Sequence, residues 1–435
     1  MSKKVLIICY YWPPAGGPGV QRWLKFVKYL SDFDIEPIVY TPQNPNYPIV
    51  DASMLEEVPD SITILKRPIK EPYRFASMLS RKQTKTISAG IVPKTTKQSL
   101  IQRLLLYIRG NFFVPDARVG WVKPSVAFLT DYVTKHAIDT VITTGPPHSM
   151  HLIGLQLKAK ITEASSRKLQ WITDFRDPWT TIGYHDKLKM TAKTKQKHKN
   201  LERTVLETAD HVLVTSPTTK QEFSAITQKP ITVITNGYDT TDEKVIPIGE
   251  KFTLSHIGSL LSDRNPTVLW KVLAKLVSEN NHFKNSFELK LVGKVSQEVI
   301  DAIKGYGLEK HLTLVGYVSH QEAITLQRQA AVLVLIEINA EITKGIIPGK
   351  VFEYLIAKRP ILGIGPKNAD VGEIITSSKS GYYLTYHQEA TLEKVLIELF
   401  ENYTAPKWRI DREAHISKYH RKELTKTLAT LIRRL

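Results

Sequence analysis

Cysteine is nearly absent: Cys9 is the single one in 435 residues. No intramolecular disulfide can form, so a reducing compartment, and with it a cytoplasmic protein, is the expectation. Long apolar runs are also missing. The run 5–11 is too short for a secretory core and meets Pro13-Pro14 at once, while 330–336 falls far below the ~20 residues that cross a bilayer. Acidic side chains are the third shortage, with 42 Asp and Glu against 60 Lys and Arg, a formal net charge of +18 and a pI near 9.6. Such an excess asks for an acidic partner: nucleic acid, an anionic membrane face or a phosphorylated substrate. Zinc-finger spacings and RNA-binding signatures do not occur and hardly an aromatic sits among the lysines, so no nucleic acid is expected.

What is present is ordinary for a globular chain, 42% hydrophobic and 23% charged, and long enough for two domains of roughly 200 residues with sizeable cores. The basic excess is local. Residues 66–110 carry eleven Lys or Arg and one acid, Glu71, within a basic insertion spanning about 66–115, and a second cluster runs over 187–199. Inside the first, the piece 100–108 puts Leu104, Leu105 and Ile108 on one apolar face beside Arg103 and Arg109. Such a helix either rests on anionic lipid headgroups or packs on its own domain.

Val5-Leu6-Ile7-Ile8 reads as a buried parallel strand, after which Val20, Trp23, Leu24, Val27 and Leu30 recur at helical spacing. The loop between them holds Gly16 and Gly17, whose amides suit a close-lying anion, although the dinucleotide spacing G-x-G-x-x-G is not met. Strand signals follow at 38–40, 62–65, 141–144, 169–173, 211–215 and 231–234. The turn Asn236-Gly237-Tyr238-Asp239 and the polar stretch to Glu250 then close a first domain, 1–240. Strand and helix alternate afresh over 250–405, with strands at 254–257, 289–292, 312–315, 332–336 and 361–364 and a helix at 269–277. The architecture expected is α/β with two doubly wound domains. Asp32-Phe33-Asp34 has the form of a D-x-D motif but directly follows a helix and reads as a turn, so no catalytic metal is expected.

Candidate functional residues cluster at strand ends, where open α/β sheets bind ligands. His148 follows the strand at 141–144, and Asp177 lies in Asp174-Phe175-Arg176-Asp177-Pro178-Trp179 after the strand at 169–173. Taken alone, His148 is more often a packing or capping residue, and Asp177 serves equally as one half of a salt bridge with its neighbour. Gly258, Ser259 and Arg264 open the second domain as Gly16 and Gly17 open the first. In Pro348-Gly349-Lys350-Val351-Phe352-Glu353-Tyr354-Leu355 a helix start carries Lys350 and Glu353 on one face. Phosphate suits such a start, and Glu353 suits a pair of ribose hydroxyls, though it caps a first helical turn equally well.

The run 348–362 resembles the nucleotide-sugar motif of family 4 glycosyltransferases, in the variant found in bacterial polysaccharide biosynthesis; the strings at 10–23, 174–179 and 258–266 resemble that family as well. The resemblance covers nearly the whole chain. It implies two facing Rossmann-like domains, the GT-B fold. The second would hold a nucleotide-sugar, the first would take a glycan or lipid-linked acceptor, and helices of 406–435 would return to the first. It implies retaining, metal-independent transfer, with no cofactor beyond the nucleotide-sugar donor, for a protein that works in the cytoplasm or at the inner face of the cytoplasmic membrane. Glu353 would bind the ribose, Arg264 and Lys350 the diphosphate, and His148 and Asp177 would act near the sugar and the acceptor. Two departures stand out. Gly345 occupies the place of a sugar-contacting Glu, with Glu341 nearby, and Ser259 replaces an Arg. A sugar-nucleotide epimerase of the same fold, or a degenerate transferase kept as an assembly partner, therefore stand as alternatives.

Overall fold

The computed structural model describes residues 2–71, 100–164, 167–181, 188–239, 246–403 and 413–435. Most of the basic insertion, with Lys187 and part of the polar stretch before Glu250, lies outside them. The chain divides into two compact units, one built from Met1–Thr235 with Arg421–Leu435, the other from Asn236–His420. The segment 413–420, read from sequence with the returning helices, is grouped with the second unit.

In the first unit, β1 (Lys3–Ile8), β2 (Ile35–Pro42), β3 (Thr63–Arg67), β4 (Thr140–Gly145), β5 (Gln170–Phe175), β6 (His211–Val214) and β7 (Ile231–Val233) form one parallel sheet. Their order is β3-β2-β1-β4-β5-β6-β7, so the direction of winding reverses between β1 and β4. Both faces are covered in the middle of the sheet, which is why β4, β6 and most of β1, β2 and β5 are buried without alternation, whereas the edge strand β3 is largely exposed. Val5, Ile7, Val39, Ile142 and Ile172 belong to one core with the helix Pro18–Leu30, whose Val20, Trp23, Leu24, Val27 and Leu30 are fully buried. The helix Arg421–Arg434 adds Leu428, Ala429 and Ile432 to that core, fixed by Arg421, which donates to the Gln21 carbonyl. The C-terminal leucines are thus core and near-core contacts and not a free apolar stripe. Leu6, Ile8, Val141 and Trp171 face a second core with Trp121, Leu129, Ile153 and Leu157.

A buried ion pair ties this unit together. Asp174 at the end of β5 accepts from Arg22 Nη2 at 2.8 Å, Trp23 Nε1 at 2.7 Å and Thr144 Oγ1 at 2.9 Å. Burial alone would raise the Asp174 carboxyl, but the Arg22 guanidinium and these three donors hold it below its usual range. The first carboxylate of the 174–179 string is therefore a structural lock between the first helix and two strand ends. Asp32 pairs with Lys422, and Asp34 is left-handed at φ 53°, as a turn requires. Cys9 is buried, which pushes its thiol up to about 12.

Of the two alternatives for the helix Leu100–Phe112, packing on its own domain does not cover the named face: Leu104, Leu105 and Ile108 are 57%, 41% and 36% exposed, while Leu106 is buried. Asn111 anchors it to the next basic segment, donating to the Lys189 carbonyl and accepting from the Thr191 amide.

The second unit repeats the plan with β8 (Phe252–Ile257), β9 (Phe287–Val292), β10 (Leu312–Gly316), β11 (Val332–Ile336), β12 (Ile361–Gly365) and β13 (Gly381–Thr385), all parallel in the order β10-β9-β8-β11-β12-β13. Its reversal lies between β8 and β11. β13 is absent from the sequence reading because Gly-Tyr-Tyr-Leu-Thr carries one buried aliphatic residue. Gly381 starts it at φ 149°, where a Cβ would stand 2.0 Å from the Ile361 carbonyl oxygen. That obstacle is backbone and has no flexible end to move. Gly381→Ala is expected to cost about 2 kcal/mol or more, read as a lowered thermal midpoint of the purified chain; an unchanged midpoint would show that β13 shifts freely.

Candidate functional site

The carboxyl ends of β8 and β11 flank the reversal of the second sheet, the position that collects ligands in doubly wound folds. β8 ends in His256-Ile257-Gly258. The helix Lys350–Ile356 packs beneath it through Val351, Phe352, Tyr354 and Leu355, and Tyr354 Oη takes the Ile257 amide at 3.0 Å. The apolar positions of the motif therefore fix the helix, leaving Lys350 and Glu353 on its other face.

Lys350 Nζ reaches His256 Nε2 at 3.4 Å, while His256 Nδ1 lies 3.0 Å from the Val334 carbonyl. Burial, then the nearby ammonium, keeps His256 well below its ordinary pKa, so the ring is neutral with its proton on Nδ1. Burial and then Arg264 bring Lys350 down to about 8. Gly258 makes room for this ammonium: at φ 125° it bears no Cβ, and one there would stand 2.8 Å from Nζ. Arg264, in the 3-10 turn Ser262–Arg264, brings its Nη2 to 3.7 Å from a carboxylate that the sequence reading missed, Glu337. Glu337 directly follows β11, is 3% exposed, and has its carboxyl raised by burial against the pull of Arg264 and Lys350. An acid after five apolar strand residues reads as a strand end, and only the position of β11 beside β8 reveals it as part of the cluster.

Some expectations need adjustment. The amides of Val351 and Phe352 turn back onto the Pro348 and Gly349 carbonyls, and the Gly258 amide goes to the Val292 carbonyl, so these backbone donors are already spent. Positive charge here comes chiefly from Arg264 and Lys350. Ser259 is exposed. Glu353 accepts from Gln327 Nε2 at 2.8 Å, which orients its carboxylate. Glu341 pairs with Lys344 at the surface, where its side chain is 77% exposed.

In the first unit, the Gly16 amide donates to the Ile49 carbonyl and a Cβ there would meet Ile49 at 2.9 Å, so this glycine serves a close backbone approach. Gly17 caps the first helix at φ 98° with open space beside it. Gly19 lies against the Arg176 guanidinium, which also donates to the Gly145 and Pro146 carbonyls. His148 is buried flat on Trp179, ring centroids 4.7 Å apart, a packing arrangement. Asp116 caps the following helix, Ser149–Ala164, by accepting from the Ser149 amide and hydroxyl, each at 2.8 Å. Asp177 is exposed. His151, one turn on, is fully buried and held down to about 3, neutral at any working pH.

Among solved structures, the chain superposes on a glycosyltransferase from Rickettsia africae ESF-5 with a TM-score of 0.58 at 14% identity, covering 100% of this chain and 98% of that one. A variant of S. aureus TarM in complex with fondaparinux, α-GlcNAc-glycerol and UDP gives 0.55 at 13%, over 99% of both chains. A putative UDP-N-acetylglucosamine 2-epimerase from Listeria monocytogenes gives 0.53 at 11%, covering 100% and 96%. The two parallel-sheet units thus have the GT-B fold, and at these identities the likeness is one of fold. No protein-family profile matches the chain. No curated protein matches its sequence.

Proposed function

We propose that the chain is a glycosyltransferase that moves a sugar from a nucleotide-sugar to a glycan or lipid-linked acceptor, retaining and metal-independent, in cell-surface polysaccharide synthesis. The observation carrying this reading is the pairing of Arg264 and Lys350 at the β8–β11 reversal, with Glu353 one turn beyond Lys350. Departure of a nucleoside diphosphate builds negative charge on oxygen, and two fixed cations in a poorly hydrated place stabilise that charge without reorganising. Glu353, oriented by Gln327, receives the ribose hydroxyls. In the first unit the exposed Asp177 serves the acceptor better than His148, whose ring is covered by Trp179.

The acceptor class fits the exposed Leu104, Leu105, Tyr107, Ile108 and Phe112 on a helix that Asn111 ties to Thr191 and Thr194, at the start of the segment carrying the exposed Lys193, Lys195, Lys197 and Lys199. Apolar side chains flanked by lysines suit peripheral contact with an anionic membrane. The test is incubation with a panel of nucleotide-sugars, with and without a lipid-linked acceptor. Release of nucleoside diphosphate that depends on the acceptor is expected. Conversion of donor alone would mark an epimerase, and nucleotide binding without release would mark an assembly partner.

A further inference from the structure

The cations of the nucleotide-sugar site are not waiting bare. Glu337 stands among them, its carboxylate 3.7 Å from Arg264 and its side chain 4% exposed. The groups facing it are Arg264 from the turn after β8, Lys350 from the motif helix with His256 behind it, and Tyr383 and Tyr386 from β13 and just beyond. Tyr386 Oη donates to the Glu337 backbone carbonyl at 2.8 Å, and Tyr383 Oη goes to the Pro366 carbonyl at 3.3 Å. On the far side, a Cβ on Gly365 would stand 3.0 Å from the Glu337 Cβ. The carboxylate is thus walled in by β11, β12 and β13 and has the two cations as its charged company.

We propose that Glu337 is the resident counter-ion of this site: it balances Arg264 and Lys350 while the site is empty, and takes up one proton from solvent when a diphosphate claims those cations. This inference rests on the proposed nucleotide-sugar reading and deepens it. A diphosphate diester brings two negative charges to a place where one buried carboxylate already sits. Two anions sharing two cations in a poorly hydrated pocket repel strongly, and protonating the carboxylate removes the repulsion. Burial has already raised the Glu337 carboxyl, so the proton is gained at modest cost. Protonated, Glu337 leaves Arg264 free to donate to phosphate oxygen and becomes a hydrogen-bond donor itself. The residue thereby makes donor affinity dependent on pH below the range where Lys350 titrates.

The linkage has a definite sign. Binding that takes up a proton weakens as pH rises, by up to about tenfold per pH unit between the carboxyl's values in the empty and filled sites. Calorimetry with uridine, guanosine and thymidine diphospho-sugars, whose diphosphate diester does not titrate near neutrality, measures this directly. Heats taken in buffers of different ionisation enthalpy give the number of protons absorbed. For the chain as it stands, uptake approaching about one proton and an affinity that falls as pH rises between the carboxyl's empty-site and filled-site values are expected. In Glu337→Gln, which keeps shape and burial, uptake should vanish, affinity should flatten with pH, and binding at the upper end should be about tenfold tighter than that of the unaltered chain.

Binding without proton uptake in the unaltered chain would overturn the role of Glu337 and leave the nucleotide-sugar reading standing. So would a folded Glu337→Gln that binds more weakly at every pH, since Glu337 would then be a direct ligand contact or the strut that places Arg264. Failure of every nucleotide-sugar to bind would overturn both. A Glu337→Gln that does not fold is replaced by Glu337→Asp, which keeps the carboxyl and must keep the uptake; its loss there overturns the inference.

Discussion

Lys350→Ala is expected to weaken nucleoside-diphosphate binding by roughly ten- to hundredfold, the loss of one charge-assisted contact worth roughly 1.5–3 kcal/mol. The fold should survive, because Lys350 is only partly buried and Tyr354 still pins the end of β8. The same residue sets an alkaline limit. Lys350 is lowered to about 8 in the empty site, so above that pH the amine is neutral and anion affinity declines as pH rises. Removing the amine removes that decline. Isothermal titration with UDP and GDP, for the unaltered chain and the variant, checks both parts. Equal affinities for the two proteins would take Lys350 out of the diphosphate site.

Asp174→Ala should have the largest effect on stability, about 3–5 kcal/mol, because it leaves the Arg22 guanidinium unpaired in the interior. Arg22 is 4% exposed, and its other recorded acceptor is the Thr235 carbonyl at 2.9 Å. The contribution also follows pH. Asp174 titrates lower in the folded chain than its ordinary value of 3.8, so its stabilisation is complete above that value and is lost as pH falls through the folded one. The variant should therefore lose most near neutrality and converge on the unaltered protein in acid. Guanidinium unfolding followed by tryptophan fluorescence reads this locally, since Trp23 Nε1 is one of the donors to Asp174. Equal midpoints near neutrality would show that Arg22 finds another partner at no cost.

Much of the fold is legible because parallel strands covered on both faces leave unbroken apolar runs, and the helix after β1 shows its buried stripe without ambiguity. Strands at sheet edges are harder to read: β13 relies on aromatics packed against glycines, with Gly363, Gly365 and Gly372 all pressed against Tyr383. Lys350, Glu353 and Arg264 could be named from sequence because each stands in a recognisable string. Glu337 could not, since its meaning depends on β11 lying next to β8, a non-local pairing. Asp174 and Asp177 show the converse. Three residues apart in one string, they are respectively a fully buried ion-pair partner and an exposed carboxylate, and no spacing rule distinguishes them. For the helix Leu100–Phe112 the period leaves open whether its apolar side packs or faces out, and the exposed Leu104, Leu105 and Ile108 with a buried Leu106 come only from the structure.

The first unit is assembled from both ends of the chain, and this sets an order of events on the ribosome. The core that Val20, Trp23 and Leu24 share with Leu428 and Ile432 stays incomplete until residues 421–435 have been made. The second unit is encoded without interruption and is complete earlier. A nascent chain thus carries an uncovered apolar surface through the synthesis of an entire domain, a natural place for a chaperone to hold it. Loss of the last fifteen residues would strike the half of the protein that was made first.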